Sequence, residues 1–129
     1  MRIYIDVDGT ILSQKLDLEF KDRWQRDGYA ATVAWYVHQG VANLRRRWWL
    51  LLILTVMAAV GIELVLWTNR FDRNREATKA NLGWFWRIFQ EHQFWNSTKG
   101  EAVPQDGWVI DNEPSYVAKA RRGICVPSF

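Results

Sequence analysis

Apolar residues in this chain gather into short runs that stop abruptly at polar side chains. Ile3-Tyr4-Ile5 runs into Asp6-Val7-Asp8-Gly9-Thr10, and Ile62-Glu63-Leu64-Val65-Leu66-Trp67 follows Gly61 and ends at Thr68-Asn69-Arg70. Trp108-Val109-Ile110 ends at Asp111-Asn112. Runs of this length, rich in β-branched and aromatic residues and bounded by turn formers, predict buried strands. Gln93-Phe94-Trp95 predicts another short strand, and Ile124-Cys125-Val126, stopped by Pro127, a last one. Between the strands the period changes. Tyr29 to Leu44 places Ala31, Ala34, Trp35, Val37, Val41 and Leu44 at helical spacing, interrupted by Gly40. Trp48 to Val60 carries no charge and predicts a buried helix stopping at Gly61, a natural residue just past a helix end. Asn74 to Phe89 predicts a helix broken near Gly83, with Trp84, Phe85, Trp86 and Phe89 as a core face plus an exposed edge. Ser115 to Arg121 predicts a last helix closed by Gly123. Leu16-Asp17-Leu18-Glu19-Phe20, ended by Gly28, fits either a flap hairpin or a helix start.

The strand ends carry the chemistry. At the end of the first strand the two-residue period puts Asp6 and Asp8 on one side of the chain. Two such carboxylates repel each other unless a divalent cation or a shared proton intervenes. Gly9 permits a sharp turn, after which backbone amides are free to face an anion. Each element has a plainer reading when taken alone. Asp6, Asp8 and Asp111 are turn formers, Thr68 closes a strand, and Lys99, in the polar loop Ser97-Thr98-Lys99-Gly100, is a solvated lysine. Lys79 is a rival ammonium, but it falls in the helical stretch 74–82. In an open parallel sheet, ligands bind outside the carboxyl ends of the strands, so all these groups would converge at one edge.

In that order, Asp6-Val7-Asp8-Gly9-Thr10, Thr68, Lys99 and Asp111-Asn112 resemble the four motifs of the haloacid dehalogenase-like (HAD) phosphohydrolases. Asn112 stands where many members carry a second Asp. Asp111-Asn112-Glu113-Pro114-Ser115-Tyr116 is similar to the fourth motif of the small carboxy-terminal-domain phosphatase branch. The resemblance implies an α/β fold: a Rossmannoid three-layer sandwich around a central, mostly parallel sheet, with a minimal helical or flap insertion after the first strand. It implies an Mg²⁺-dependent phosphomonoester hydrolase, a phosphatase working through an aspartyl-phosphate. Asp6 would be the nucleophile, Asp8 the general acid and then base, Thr68 a phosphoryl ligand, and Lys99 the neutralising cation. Asn69 and Arg70 join Thr68 as substrate-binding residues. Asp6, the carbonyl of Asp8, Asp111 and Asn112 would hold the metal. The implied partners are a phosphorylated small molecule, a nucleotide, or a macromolecular phosphoester such as a nucleic-acid end or phosphoprotein. A non-catalytic binding module of the same fold is the alternative.

Composition narrows the picture only a little. A chain of 129 residues predicts one domain, with 13–47 as the insertion, a flap or small cap. The single cysteine, Cys125, excludes an intramolecular disulfide and fits a reducing cytoplasm; it reads as a small buried core residue. His38 and His92 lack ligand spacing and read as structural. The formal charge is only +3, but arginines cluster at 45–47, at 70, 73 and 75, and at 121–122. The second cluster would either steer an anion or pair with Asp72 and Glu76 on a solvated face. With nine tryptophans, aromatics interleaved with arginines offer stacking for nucleobases or ordinary packing.

The 48–60 run also raises the alternative of a small membrane protein, since Arg45 to Arg47 precede it. It is shorter than the ~20 residues of a span, and extending it takes Glu63 into the bilayer. A span between Asp6 and Thr68 would also put them on opposite sides of the membrane, so span and site exclude each other. A membrane is therefore not expected as a partner.

Overall fold

The computed structural model describes residues 1–38 and 44–129, the His38 side chain excepted. Among these residues five strands, β1 (Arg2–Ile5), β2 (Glu63–Thr68), β3 (Glu91–Phe94), β4 (Trp108–Asp111) and β5 (Arg122–Cys125), form one sheet in the order β3-β2-β1-β4-β5. Every pairing is parallel, and Ile3 sits opposite Leu64 on one side and Trp108 on the other. The order reverses beside β1: the chain builds outward through β2 and β3, then returns to place β4 on β1's free edge.

Among the described residues five helices connect the strands: α1 (Lys15–Asp27), α2 (Tyr29–His38), α3 (Trp48–Ala59), α4 (Arg75–Leu82) and α5 (Pro114–Lys119). Side-chain alternation on the central strands feeds two cores, the pattern expected of a sheet covered on both faces. Ile3, Ile5, Leu64, Leu66 and Ile110 pack with Leu50, Leu51 and Leu54 of α3, and with Phe85 and Ile88 of the 3₁₀ turn Gly83–Ile88. Tyr4, Val65, Trp67 and Val109 face the other way, toward Trp95, Val103, and Tyr116 and Ala120 at α5.

The helix start at Leu16 to Phe20 and the break at Gly83 are found, while the expectations for Gly123 and Cys125 are overturned. Leu16 to Phe20 belongs to the helix α1, so the insertion is a helical pair and no hairpin; Gly28, at φ +85°, turns the chain from α1 into α2. The expected continuation of α2 through Gly40 and Val41 lies outside the described residues. The helix expected from Asn74 onward stops at Gly83 (φ +57°) and continues as the 3₁₀ turn, burying Phe85 and Phe89 and leaving Trp84 out. Gly123 lies within β5 and does not close α5; a Cβ there would come within 2.8 Å of Val117 Cγ1, so the glycine lets α5 sit close against the strand. Cys125 is exposed, because β5 is an edge strand.

Helix α3 ends as expected before Gly61, which takes φ +93°. It is not wholly buried. A helix lying on a sheet can turn only one side inward, and Trp48, Trp49, Leu52, Ile53, Val56 and Val60 remain 48–72 % exposed. Its 12 residues are too few for a span, and no helix among the described residues is long and apolar enough to cross a membrane.

Candidate active site

The carboxyl ends of β1, β2 and β4 bring together what the sequence scatters over more than a hundred positions. The Asp6 amide donates to the Ile110 carbonyl at 3.0 Å, which seats Asp6 against β4 and beside Asp111. Beyond it the chain coils tightly. The amides of Thr10, Ile11 and Leu12 all donate to the Val7 carbonyl, and the Gly9 amide donates to that of Leu12. These amides are consumed by the loop itself, so the expectation that they face an anion does not hold.

Lys99 lies between the two carboxylates. Its Nζ donates to Asp6 Oδ1 at 2.6 Å, to Asp111 Oδ2 at 2.8 Å and to the Trp67 carbonyl at 3.3 Å, using all three ammonium protons. It also sits 4.3 Å from the centre of the buried Trp67 ring. Burial alone would lower its pKa, but Asp6 and Asp111 outweigh burial and raise it, so Lys99 stays charged. Lys79, by contrast, is exposed on α4.

Asp6 is buried, and desolvation pushes its carboxyl above the ordinary range. Lys99 opposes that rise, while Asp111 and Asp8 add to it. Its second oxygen, Oδ2, accepts from the Thr10 hydroxyl at 2.9 Å. Thr10 is thus a site residue beyond the expected set, and its place four residues after Asp6 is the signal for it in the sequence.

Asn112 closes the cluster. With its amide nitrogen inward it donates to Asp6 Oδ2 at 2.9 Å and to the Asp8 carbonyl and Asp111 Oδ1 at 3.1 Å, and its oxygen accepts from Ser128 Oγ. Turned over, the same inward position holds an oxygen with three other oxygens 2.9–3.1 Å away. Neighbouring ligands of an octahedral Mg²⁺, bound at 2.0–2.1 Å, stand about 2.9 Å apart. The donor set therefore fits a hard cation: two carboxylates, one amide oxygen and one backbone carbonyl. No cluster of three or more His, Cys, Asp and Glu ligands occurs among the described residues.

Asp8 turns away from this cluster toward Arg70, which is buried and not on a solvated face. Arg73 stays exposed, and Arg75 pairs with Asp72 at 3.0 Å. Thr68 is buried at the end of β2, where its Oγ1 accepts from the Arg70 amide. The Asn69 side chain is committed to the architecture: Oδ1 accepts from the Lys99 amide at 2.9 Å and Nδ2 donates to Tyr116 Oη. Asn69 thereby fixes the loop that delivers Lys99. Behind Arg70, Thr78 and Asn81 are buried polar residues three apart on α4. Their polarity on the inward face of that helix was a readable signal.

The basic run at 45–47 is partly structural too. Arg46 Nε donates to the Asn81 carbonyl, and the buried Arg47 donates to the carbonyls of Gly9 and Pro127, joining the first loop to the tail. His92 stacks flat on Trp86 with centroids 3.7 Å apart, consistent with a structural role.

A cavity of about 90 Å³ opens over Asp6, Thr68, Lys99, Asp111 and Asn112. It presents a buried carboxylate, a hydroxyl and an ammonium to anything small that enters. Comparisons with protein-family models, with curated proteins and with solved structures give no match.

Proposed function

We propose that this chain is a phosphomonoester hydrolase that transfers the phosphoryl group to Asp6 and then to water. The observation that carries the reading is the environment of Asp6. One oxygen is held by Lys99 and the other by Thr10, at the floor of a cavity sized for a phosphoryl group. A carboxylate fixed at both oxygens is oriented for in-line attack, and that positioning is a large part of catalysis for phosphoryl transfer.

In the first step an Asp6 oxygen bonds to phosphorus and the ester P–O bond breaks, with Asp8 giving a proton to the leaving oxygen. In the second, water attacks phosphorus, Asp8 takes its proton, and the Asp6–phosphorus bond breaks to release phosphate. Thr68 donates its hydroxyl to a phosphoryl oxygen, and Lys99 offsets the charge that accumulates around Asp6. Asp6, the Asp8 carbonyl, Asp111 and Asn112 would hold Mg²⁺, which when bound supplies electrostatic stabilisation of the phosphoryl oxygens. A bound cation also favours the ionised form of Asp6, which burial alone opposes.

The test is hydrolysis of acetyl phosphate and of an aryl phosphate with and without Mg²⁺, beside Asp6→Asn. The expected result is Mg²⁺-dependent release of phosphate that falls at least about a thousandfold in the variant, with the circular dichroism spectrum unchanged. Parent-level turnover by Asp6→Asn would overturn the mechanism. A folded parent that binds Mg²⁺ and turns over neither ester would favour a binding module.

A further inference from the structure

Beside the cavity over Asp6 lies a second of about 190 Å³, under the helical pair α1 and α2. Asp17 and Lys21 line both, so the two run together as one trough. One wall of the second cavity is aromatic, and Asp8, Asn69, Arg70 and Ser97 line the rest of it. Phe20 is the hub, with Trp24, Tyr36 and Phe71 at centroid distances of 6.1, 5.3 and 6.3 Å. At the seam, Asp17 and Lys21 pair at 3.3 Å, offering a carboxylate acceptor and an ammonium donor.

Resting on the hydrolase reading above, we infer that the trough takes a nucleoside monophosphate unit. The phosphoryl group lies over Asp6, the sugar hydroxyls meet Asp17 and Lys21, and the base enters the aromatic cavity. The order of surfaces carries the choice. A phosphoserine side chain would leave the aromatic cavity empty. An aryl ester would place its ring directly against the phosphoryl group, at the polar seam. A nucleotide puts a polar sugar between phosphate and ring, in the order in which the trough presents its surfaces. The cavity is smaller than the 300–1,000 Å³ usual for drug-sized ligands, which suits a single flat ring system.

The test compares a nucleoside 5′-monophosphate with ribose 5-phosphate, two esters of the same primary alcohol that differ in the base. Stacking of a base on aromatic side chains predicts a kcat/KM about tenfold to a hundredfold higher for the nucleotide. Trp24→Ala should cut that ratio by about fivefold or more while leaving ribose 5-phosphate hydrolysis unchanged. Trp24 is 47 % exposed, so the variant keeps its fold. An oligonucleotide with a terminal phosphate is the third substrate: preference for it would assign the base to a strand end, and preference for the mononucleotide to free nucleotides. Equal kcat/KM for nucleotide and ribose 5-phosphate, or a ratio untouched by Trp24→Ala, would overturn the inference and leave the hydrolase standing. Loss of all three together with acetyl phosphate would overturn both.

Discussion

Arg70 grips Asp8 by both carboxylate oxygens, Nε to Oδ2 at 2.9 Å and Nη2 to Oδ1 at 2.8 Å, while its Nη1 reaches Thr78 and Asn81. The guanidinium thus occupies both Asp8 oxygens and links them to α4, so Asp8 has to leave this clamp to give its proton in the proposed reaction. Removing it takes away the group that holds both oxygens of Asp8. Arg70→Met is expected to cost about 3 kcal/mol, the low end for a broken buried pair because Asp8 keeps some access to water. Urea denaturation checks this; a loss below about 1 kcal/mol would show that the clamp contributes little to the fold. Arg70→Lys should recover little of it, because an ammonium lacks the planar fork.

Lys99 keeps two buried carboxylates from facing each other. Lys99→Met should destabilise the fold by about 3–5 kcal/mol and abolish turnover. Adding Asp111→Asn removes one of the stranded charges, so the double variant should be more stable than Lys99→Met alone. A double-mutant cycle in urea measures the coupling, and strictly additive losses would mean that the two side chains do not interact.

Gly9 combines φ +85° with an approach so close that a Cβ would clash with the Asn112 side-chain amide. Gly9→Ala therefore strains the turn and pushes Asn112 out of its place. The expected outcome is a protein weakened by about 1–3 kcal/mol whose activity requires much more Mg²⁺. A Mg²⁺ titration of activity that matched the parent would show that Asn112 does not serve the cation.

His92 sets a dependence on pH. Burial lowers its pKa from the ordinary value, the Trp86 carbonyl opposes this, and Arg75 and Lys79 add to the fall. The unfolded chain then takes up a proton on this ring before the folded chain does, so stability from His92 is present above about pH 6.5 and lost on acidification below it. Melting temperatures at about pH 7.5 and pH 5.5 should fall further apart in the parent than in His92→Phe, which keeps a neutral ring on Trp86. Identical differences would exclude a contribution from His92.

The strand ends were readable because a fully buried strand in a parallel sheet has little choice but to be apolar along its length and polar where it emerges. Asp6, Thr68 and Asp111 announced themselves in that way, and Lys99 followed from the absence of helical period around it. Arg70 was harder. Its sequence neighbours Asp72 and Arg73 are exposed and Arg75 pairs with Asp72, and nothing local says that this one arginine bends inward toward a carboxylate 62 positions earlier. The helical insertion was ambiguous because Leu16, Leu18 and Phe20 alternate like a strand, whereas α1 buries Leu16 and Phe20, four apart, and exposes Leu18. Helix α3 showed the limit of composition: an apolar run says which residues tolerate burial, not how much protein is there to cover them.

The position of β1 has a consequence for how the molecule comes into being. It is the hub of the sheet, yet its partners β2 and β4 begin about sixty and about a hundred residues further along the chain. Closing such loops is entropically costly and slows folding, so Asp6 leaves the ribosome long before Lys99 or Asp111 exists to meet it. Throughout that interval the first strand is an unpaired, aggregation-prone segment, and its shelter is delayed until β4 is made. The arrangement that assembles the site from distant strand ends thus makes the first-made strand of the sheet the one most dependent on chaperoning.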